Sequence, residues 1–501
     1  MLFKTRTFSD FENVMCFRRT MFMTVTTYNW DTVSAVRVTS MNEQLLKNVD
    51  KIPQAFSIVN EEEMIHAEGR FAQWQINCGG DGHLIGLSTK VKDLKISHAL
   101  FGRVTGEANW SLFVSLQYVG GKVKANIQVM NLVIKDDNTE PSNPAVISRV
   151  ITMGSDNQYE FPEGISEDEQ EEYQEFFASM LEILLSDWLT TNIKQFQYVF
   201  NQVNLNLLIN SDDTWGWLKP TYIDYAYTEN TKDFNQSIFS VLCMVNNHEV
   251  VNQPVAADEQ VIPKDQEFGF LINEERYIED LLIPGILDRF PGAKRKEITV
   301  DRYLEGNKYR YETTLNPEKP LALEKVDVEG KTYYPKMEKV KFSLENTQLV
   351  VEMETSTWLL SGDATGHTTI VQPYHMELNK SSDRQTIKYT KDEDGASESS
   401  YVTGAPEETI PSWLKIFIEV VGIILSLILP AIGALIAMIV VGILVGLIDF
   451  LNEWNAINSS EAPDIEGLVD NVLTEIKWAN QTIKLNVAEF FGAIRLGGNL
   501  A

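Results

Sequence analysis

Three long stretches of alternating apolar and polar residues constrain this chain most. They are WSLFVSLQYVGGKVKANIQVMNLVIK (110–135), EKVKFSLENTQLVVEMETSTWLL (338–360) and TTIVQPYHMELN (368–379). A period of two places alternate side chains on opposite faces of a strand. In the first stretch Gly120-Gly121 reads as a two-residue hairpin turn. Beyond it Val123, Ala125, Ile127 and Val129 share one face, with Lys124, Asn126 and Gln128 opposite. The latter two stretches read as an antiparallel meander. Such strands exceed the usual ~5–6 residues, which predicts an extended, strongly curved antiparallel sheet.

Helices interrupt the strands, so the expected class is α+β. The clearest is ISEDEQEEYQEFFASMLEILLSDWLTTN (165–192). Ser166 and Glu169 form a capping box, and acidic residues crowd the first turns, where the helix dipole favours them. Tyr173, Phe176, Phe177, Met180, Leu181, Leu184, Leu185, Trp188 and Leu189 recur at i, i+3, i+4 spacing. Packing on a sheet is the plain reading of that stripe. Contact with an apolar ligand is the sharper one, through Phe176, Phe177, Met180, Leu184 and Trp188. Shorter helices are expected at 30–48, at 273–283 with a stop at Pro284-Gly285, and at 464–478.

The chain has 501 residues, room for two or more domains. With 42 Lys plus Arg against 71 Asp plus Glu, the net charge is −29, a field that repels nucleic acid and anionic lipid at long range. No nucleic-acid partner is expected. Cys16, Cys78 and Cys243 are scattered and make neither a disulfide framework nor a zinc site. None of the six histidines sits in a metal pair; His248-Glu249-Val250-Val251-Asn252 begins like a zincin helix but has Asn252 where the second imidazole is needed. CGGDGHLIG (78–86) has neither dinucleotide-binding spacing nor a P-loop lysine and reads as a hairpin tip. No residue pattern bids for catalysis, a metal or a cofactor. The N-terminus carries charge throughout and lacks the apolar core of a secretory signal, so residues 1–27 are expected to be a loose tail or a mis-assigned start.

Residues 420–448 contain no charged side chain. Pro430 divides the run, because proline breaks the helical ladder. The reading is a hairpin of helices at 413–429 and 431–454 within 410–455, reached through a Ser-, Gly- and charge-rich linker at 379–409. Lys415, Glu419, Gly422 and Ser426 line one helix, and Gly442, Gly446, Asp449 and Glu453 the other, so the stripes could face each other. The uncharged cores, Val420–Leu429 and Ala431–Ile448, fall short of the ~20 residues per membrane pass. Burial, conditional exposure to a membrane or partner, and spanning all remain open. Trp413, Phe417, Ile424, Leu427, Leu435 and Met438 are the candidate contacts. One segment runs against the global charge: DRFPGAKRKEITVDRYLEGNKYRYE (288–312), in which Lys294, Arg295 and Lys296 are candidates for lipid phosphates or an acidic partner. A solvated loop is the plain alternative.

Several blocks together resemble one family. YNWDTVSAVRVTSMNEQL (28–45), FAQWQINCGGDGHLIGL (71–87), LKPTYIDYAY (218–227), IFSVLCMVNN (238–247) and FGFLINEERYIEDLLIPGIL (268–287) are similar to the OrfX and forty-seven-kilodalton accessory proteins encoded beside clostridial neurotoxins and related insecticidal toxins. The length is closer to the third OrfX member than to the forty-seven-kilodalton one. The resemblance implies a tubular lipid-binding (TULIP, BPI-like) fold, in which long helices are wrapped by curved antiparallel sheets. It implies a non-enzymatic accessory protein of a toxin gene cluster that binds lipid or phosphoinositide, or a fellow OrfX protein such as the smallest member, or a clostridial-type neurotoxin. A pure protein scaffold and a membrane-inserting component acting through 413–448 are the alternatives. The expected organisation is a first lobe at 28–260 and a second at 261–501. The expected location is bacterial: cytoplasmic until release, or extracellular with the toxin.

Overall fold

A computed structural model describes residues 24–120, 129–135, 146–198, 200–204, 220–289, 292–305, 308–323, 325–328, 331–345, 347–359, 364–379, 386–392, 394–403, 476–478 and 481–500. Three large antiparallel sheets dominate them.

The first sheet carries the longest strands. Ala55–Asn60, Ile65–Asp81, Leu84–His98 and Gly102–Gly120 lie side by side. The far edge of Gly102–Gly120 is shared in turn by Gln158–Glu160, Val146–Met153 and Val129–Ile134. The register slips at Glu68/Arg70, Phe71/Trp74, Asn77/Asp81 and Val91/Leu94. Such bulges bend and twist a strand, which lets strands this long wrap a core instead of lying flat. Asp81 pairs with Leu84, so 78–86 is a hairpin tip as expected, with Gly82 in the left-handed region the tight turn requires.

The central sheet runs Pro220–Thr228, Ile238–Val245, Thr32–Arg37, Phe268–Ile272, Ile494–Leu500, Gln481–Phe490 and Ile476–Trp478. Its strands come from both sides of residue 260. Thr32–Arg37, Ile238–Val245 and Phe268–Ile272 are buried along their whole length. One face joins the main core through Val36, Phe239, Val241, Phe268 and Phe270. The other packs a second cluster containing Trp30, Val33, Ala35, Leu242 and Leu271. A strand covered on both faces loses its alternation, which corrects the helix expected over 30–48: residues Thr32–Arg37 form a strand, and helix α1 is confined to Val38–Lys47.

The third sheet orders Ile298–Glu305, Lys308–Leu315, Lys336–Glu345, Gln348–Leu359, Ala364–Asn379 and Thr386–Lys391. Lys336–Glu345, Gln348–Leu359 and Ala364–Asn379 are the meander read from alternation, whereas Thr386–Lys391 and Ser397–Thr403, within the stretch 379–409 expected to be a linker, are strands that pair with Ala364–Asn379.

Helix α2 spans Glu167–Asn192 with the predicted Ser166–Glu169 capping box. Three other expectations are corrected. Gly120 pairs with Met130 and Tyr118 with Leu132, so Gly120 belongs to a strand and not to a two-residue turn; residues 121–128, including Val123, Ala125 and Ile127, lie outside the described residues. The helix begun at 273 does not stop at Pro284-Gly285. It is α over Glu274–Arg276, π over Tyr277–Leu282 and α again over Ile283–Arg289, together α3. The wider π turn precedes the proline, whose missing N–H and bulky ring disrupt ordinary helical bonding. Residues 476–478, expected to end a helix, form an edge strand because Ile476 pairs with Ile483 across the Gln481–Phe490 strand. Residues 464–475 lie outside the described residues.

Candidate functional site

The α2 stripe packs on the first sheet. Phe177, Leu181, Leu185 and Leu189 are wholly buried, and Met180 nearly so. Phe176, Leu184 and Trp188 are partly buried against the same core. Trp188 meets Phe71 at 5.7 Å and Phe56 at 6.2 Å between ring centroids, and Phe176 sits 4.2 Å from Phe101. Beneath them Trp74 donates its indole N–H to the Pro53 carbonyl at 3.1 Å, which satisfies the polar end of a ring buried for its area. The five candidate apolar contacts are thus engaged, wholly or in part, by the protein's own side chains.

Lys294, Arg295 and Lys296 are each more than half exposed. Lys296 Nζ lies 2.6 Å from Glu318, Arg295 Nη2 lies 2.9 Å from Glu279, and Lys294 Nζ lies 3.9 Å from Glu318. Exposed pairs are worth only ~0–1 kcal/mol, so the cations stay available, but the carboxylates beside them cancel much of their local field. Arg310, from the same segment, is buried against Glu274 at 3.2 Å. Trp413, Phe417, Ile424, Leu427, Leu435 and Met438, with the rest of 410–455, lie outside the described residues. Among the described residues, no helix is long and apolar enough to cross a membrane.

A polar hub joins the central sheet to α3 and the third sheet. Asp31, almost fully buried, accepts the Val245 N–H at 2.8 Å and lies 3.2 Å from His248 Nδ1 and 3.4 Å from Arg276 Nε. Arg276 donates to Asp280 at 2.9 Å, and Asn246 donates to the other Asp280 oxygen at 2.9 Å. Burial raises both carboxyls above their ordinary range, and at Asp280 the Asp31 charge adds to it; Arg276 and His248 oppose the shift. His248 therefore belongs to this ion network, on a turn after the Ile238–Val245 strand rather than on a zincin-type helix. Among the described residues no group of three His, Cys, Asp or Glu side chains is placed to hold a metal.

Beside the hub opens a cleft of about 390 Å³. Its walls come from the Thr24–Asn29 segment, Pro254, the start of α3, Tyr311 and Gly492. Asn273 caps α3 by accepting the Glu275 N–H at 2.8 Å, while its amide donates to Thr27 Oγ1 at 3.0 Å. Glu274 accepts the Tyr311 backbone N–H at 3.2 Å, and the Tyr311 hydroxyl donates to Glu275 at 2.8 Å. The cleft escaped sequence reading because its walls are hundreds of residues apart.

With this geometry in hand, comparison with known proteins is direct. A family model described as OrfX-like, Protein OrfX2/OrfX3/P47, matches residues 27–498. Protein OrfX3 of Clostridium botulinum (strain Kyoto / Type A2) is 32% identical over 493 residues, covering 95% of this chain and 99% of that protein. Protein OrfX3 of Paraclostridium bifermentans is 28% identical over 499 residues, covering 95% and 98%. The solved structure of P47 from Clostridium botulinum A2 superposes with a TM-score of 0.63 at 17% identity, covering 95% of this chain and 98% of that one. P47 of Clostridium botulinum E1 gives 0.57 at 13% identity, covering 95% and 100%. The class is therefore a sheet-rich protein with few helices that shares the P47 fold. The chain belongs to the OrfX-like family. Four of the five blocks that carried the resemblance supply neighbouring strands of the central sheet, Pro220–Thr228, Ile238–Val245, Thr32–Arg37 and Phe268–Ile272, and the fifth, 71–87, lies in the first sheet.

Proposed function

We propose that this protein is a non-catalytic accessory protein of a bacterial toxin gene cluster, TULIP-like in fold, that acts by binding a fellow accessory protein. The observation that carries this reading is the occupied seam between α2 and the first sheet. Phe177, Leu181, Leu185 and Leu189 are already covered by protein, so the stripe that would receive an acyl chain is spent on packing. The partner class we propose follows the family resemblance: another OrfX-family chain, such as the smallest OrfX member, ahead of a clostridial-type neurotoxin. Mixing the full chain with that member from the same cluster and sizing the product by light scattering tests the proposal. A stoichiometric complex is expected; separate elution at micromolar concentrations contradicts it.

Phosphoinositide binding is the second reading, favoured by the exposed Lys294, Arg295 and Lys296 side chains. Flotation with neutral and phosphoinositide-containing liposomes separates the two. Salt-sensitive flotation with the anionic liposomes alone would support the lipid reading, since screening weakens exposed charge contacts. Sedimentation in every tube removes it.

A further inference from the structure

We infer that the cleft beside the Thr27–Trp30 turn is a binding site for a neutral saccharide ring. The inference stands apart from the partner-binding proposal, because none of its residues belongs to the α2 seam or to the Lys294–Lys296 segment.

The site is built in advance of any ligand. Val25 donates to the Phe491 carbonyl at 3.0 Å and Trp30 to the Thr27 carbonyl at 3.0 Å, while the Trp30 indole N–H donates to the Pro254 carbonyl at 3.0 Å. These bonds, with the Asn273–Thr27 bond, tie three distant parts of the chain around one cavity. Its volume of about 390 Å³ falls within the ~300–1,000 Å³ typical of small-molecule sites. At its wall Tyr28 and Asn29 both adopt left-handed backbone, with φ of 51° and 67°. Asparagine tolerates that region; tyrosine does so at a cost of roughly 1–2 kcal/mol. Non-glycine residues held there concentrate at ligand clamps. Tyr28 is 37% exposed, so burying a core ring does not explain its placement.

The lining selects the ligand chemistry. Thr26, Thr27, Tyr28, Asn29, Asn273 and Tyr311 line it with hydroxyls and amides, and Tyr28 supplies the exposed aromatic ring, Tyr311 being almost fully buried. Thr26, Thr27, Asn273 and Tyr311 already spend polar atoms on the hydrogen bonds that hold the cleft together, whereas an acyl chain would strip water from the Tyr28 hydroxyl and the Asn29 amide at its wall, at a cost of roughly 1–3 kcal/mol each. An anion meets the wrong field: Asp258 and Glu259 lie close enough to add to the burial that raises the Tyr28 phenol. The charges at the floor are already compensated, since Glu274 pairs with Arg310 and Glu275 with Arg276 and the Tyr311 hydroxyl. A site with an acidic rim, a compensated floor, polar groups at its wall and an exposed aromatic ring fits an uncharged ring that bears hydroxyls on its edge and C–H groups on its face.

The test is saturation-transfer NMR on the full chain with the methyl glycosides of glucose, galactose, mannose and N-acetylglucosamine. N-acetylneuraminic acid serves as the anionic comparator and butylamine as the cationic one. At least one neutral glycoside is expected to bind at or below about 10 mM, and the anionic sugar is not. Tyr28→Ala should weaken that binding about tenfold or more, while Tyr28→Phe keeps it within about threefold. Hydrogen exchange on the wild-type chain, which needs no variant to fold, should show amides 25–31 slowed by the bound glycoside. The inference is overturned if no neutral glycoside gives transfer, if only a charged compound does, or if the slowed amides lie elsewhere.

Discussion

Replacing Leu185 by alanine probes the α2 seam directly. Leu185 is fully shielded from solvent in the main core, whereas Ile183, two residues earlier on the same helix, is 64% exposed. Truncating a buried leucine forfeits its transfer free energy and leaves a cavity, together ~2–5 kcal/mol. Truncating the exposed isoleucine should stay within ~0.5 kcal/mol. Hydrogen exchange over 167–192 reports the local opening free energy. At 1.4 kcal/mol per factor of ten, Leu185→Ala should speed exchange of the helix amides roughly 30- to 4,000-fold, up to the limit set by global unfolding. Ile183→Ala should change it less than about threefold. Equal acceleration in both variants, or none in Leu185→Ala, would mean that the helix does not bury this face, and the argument that its stripe is spent on packing would fall.

Other expectations concern the cap and the ion network. Ser166→Ala removes the side-chain half of the capping box and should cost ~0.5–2 kcal/mol, read as faster exchange in the first turn of α2. Arg310→Met strands the buried Glu274 carboxylate and should cost ~3–5 kcal/mol in a denaturant titration. Adding Glu274→Gln should recover most of that loss; a fully additive double variant would show that the two side chains do not interact. Asp31 has a raised folded-state pKa, so the folded chain takes up this proton at a higher pH than the unfolded chain does. The wild type should therefore gain stability relative to Asp31→Asn as pH falls from neutral towards the unfolded carboxyl value of ~3.9. Thermal midpoints of both chains across that range check it. The opposite slope would mean that Arg276 and His248 outweigh burial.

The parts legible in the sequence were those governed by near neighbours. The capping box and apolar spacing of α2 lie within one helix, and the Lys336–Glu345 to Ala364–Asn379 meander follows from alternation between consecutive strands. Thr32–Arg37 departs from the helix reading because it is paired on both edges by Ile238–Val245 and Phe268–Ile272, more than two hundred residues away, and covered on both faces by two separate cores. The turn after Gly120 failed for a related reason: two glycines permit a tight turn, but the pairing of Gly120 with Met130 sets the register. Lys294–Lys296 read as a basic patch because Glu279 and Glu318, which sit beside those side chains, are not adjacent in sequence. The cleft gave no sequence signal, since Tyr28, Asn273 and Tyr311 meet only once the central and third sheets are brought together.

The seam is tested most directly by extracting detergent-free purified protein with organic solvent and quantifying acyl lipid per chain by mass spectrometry. A seam filled by Phe177, Leu181, Leu185 and Leu189 predicts far less than one lipid per chain. One or more lipids per chain, reproducibly of one class, would contradict it and return the α2 stripe to the role of a lipid site.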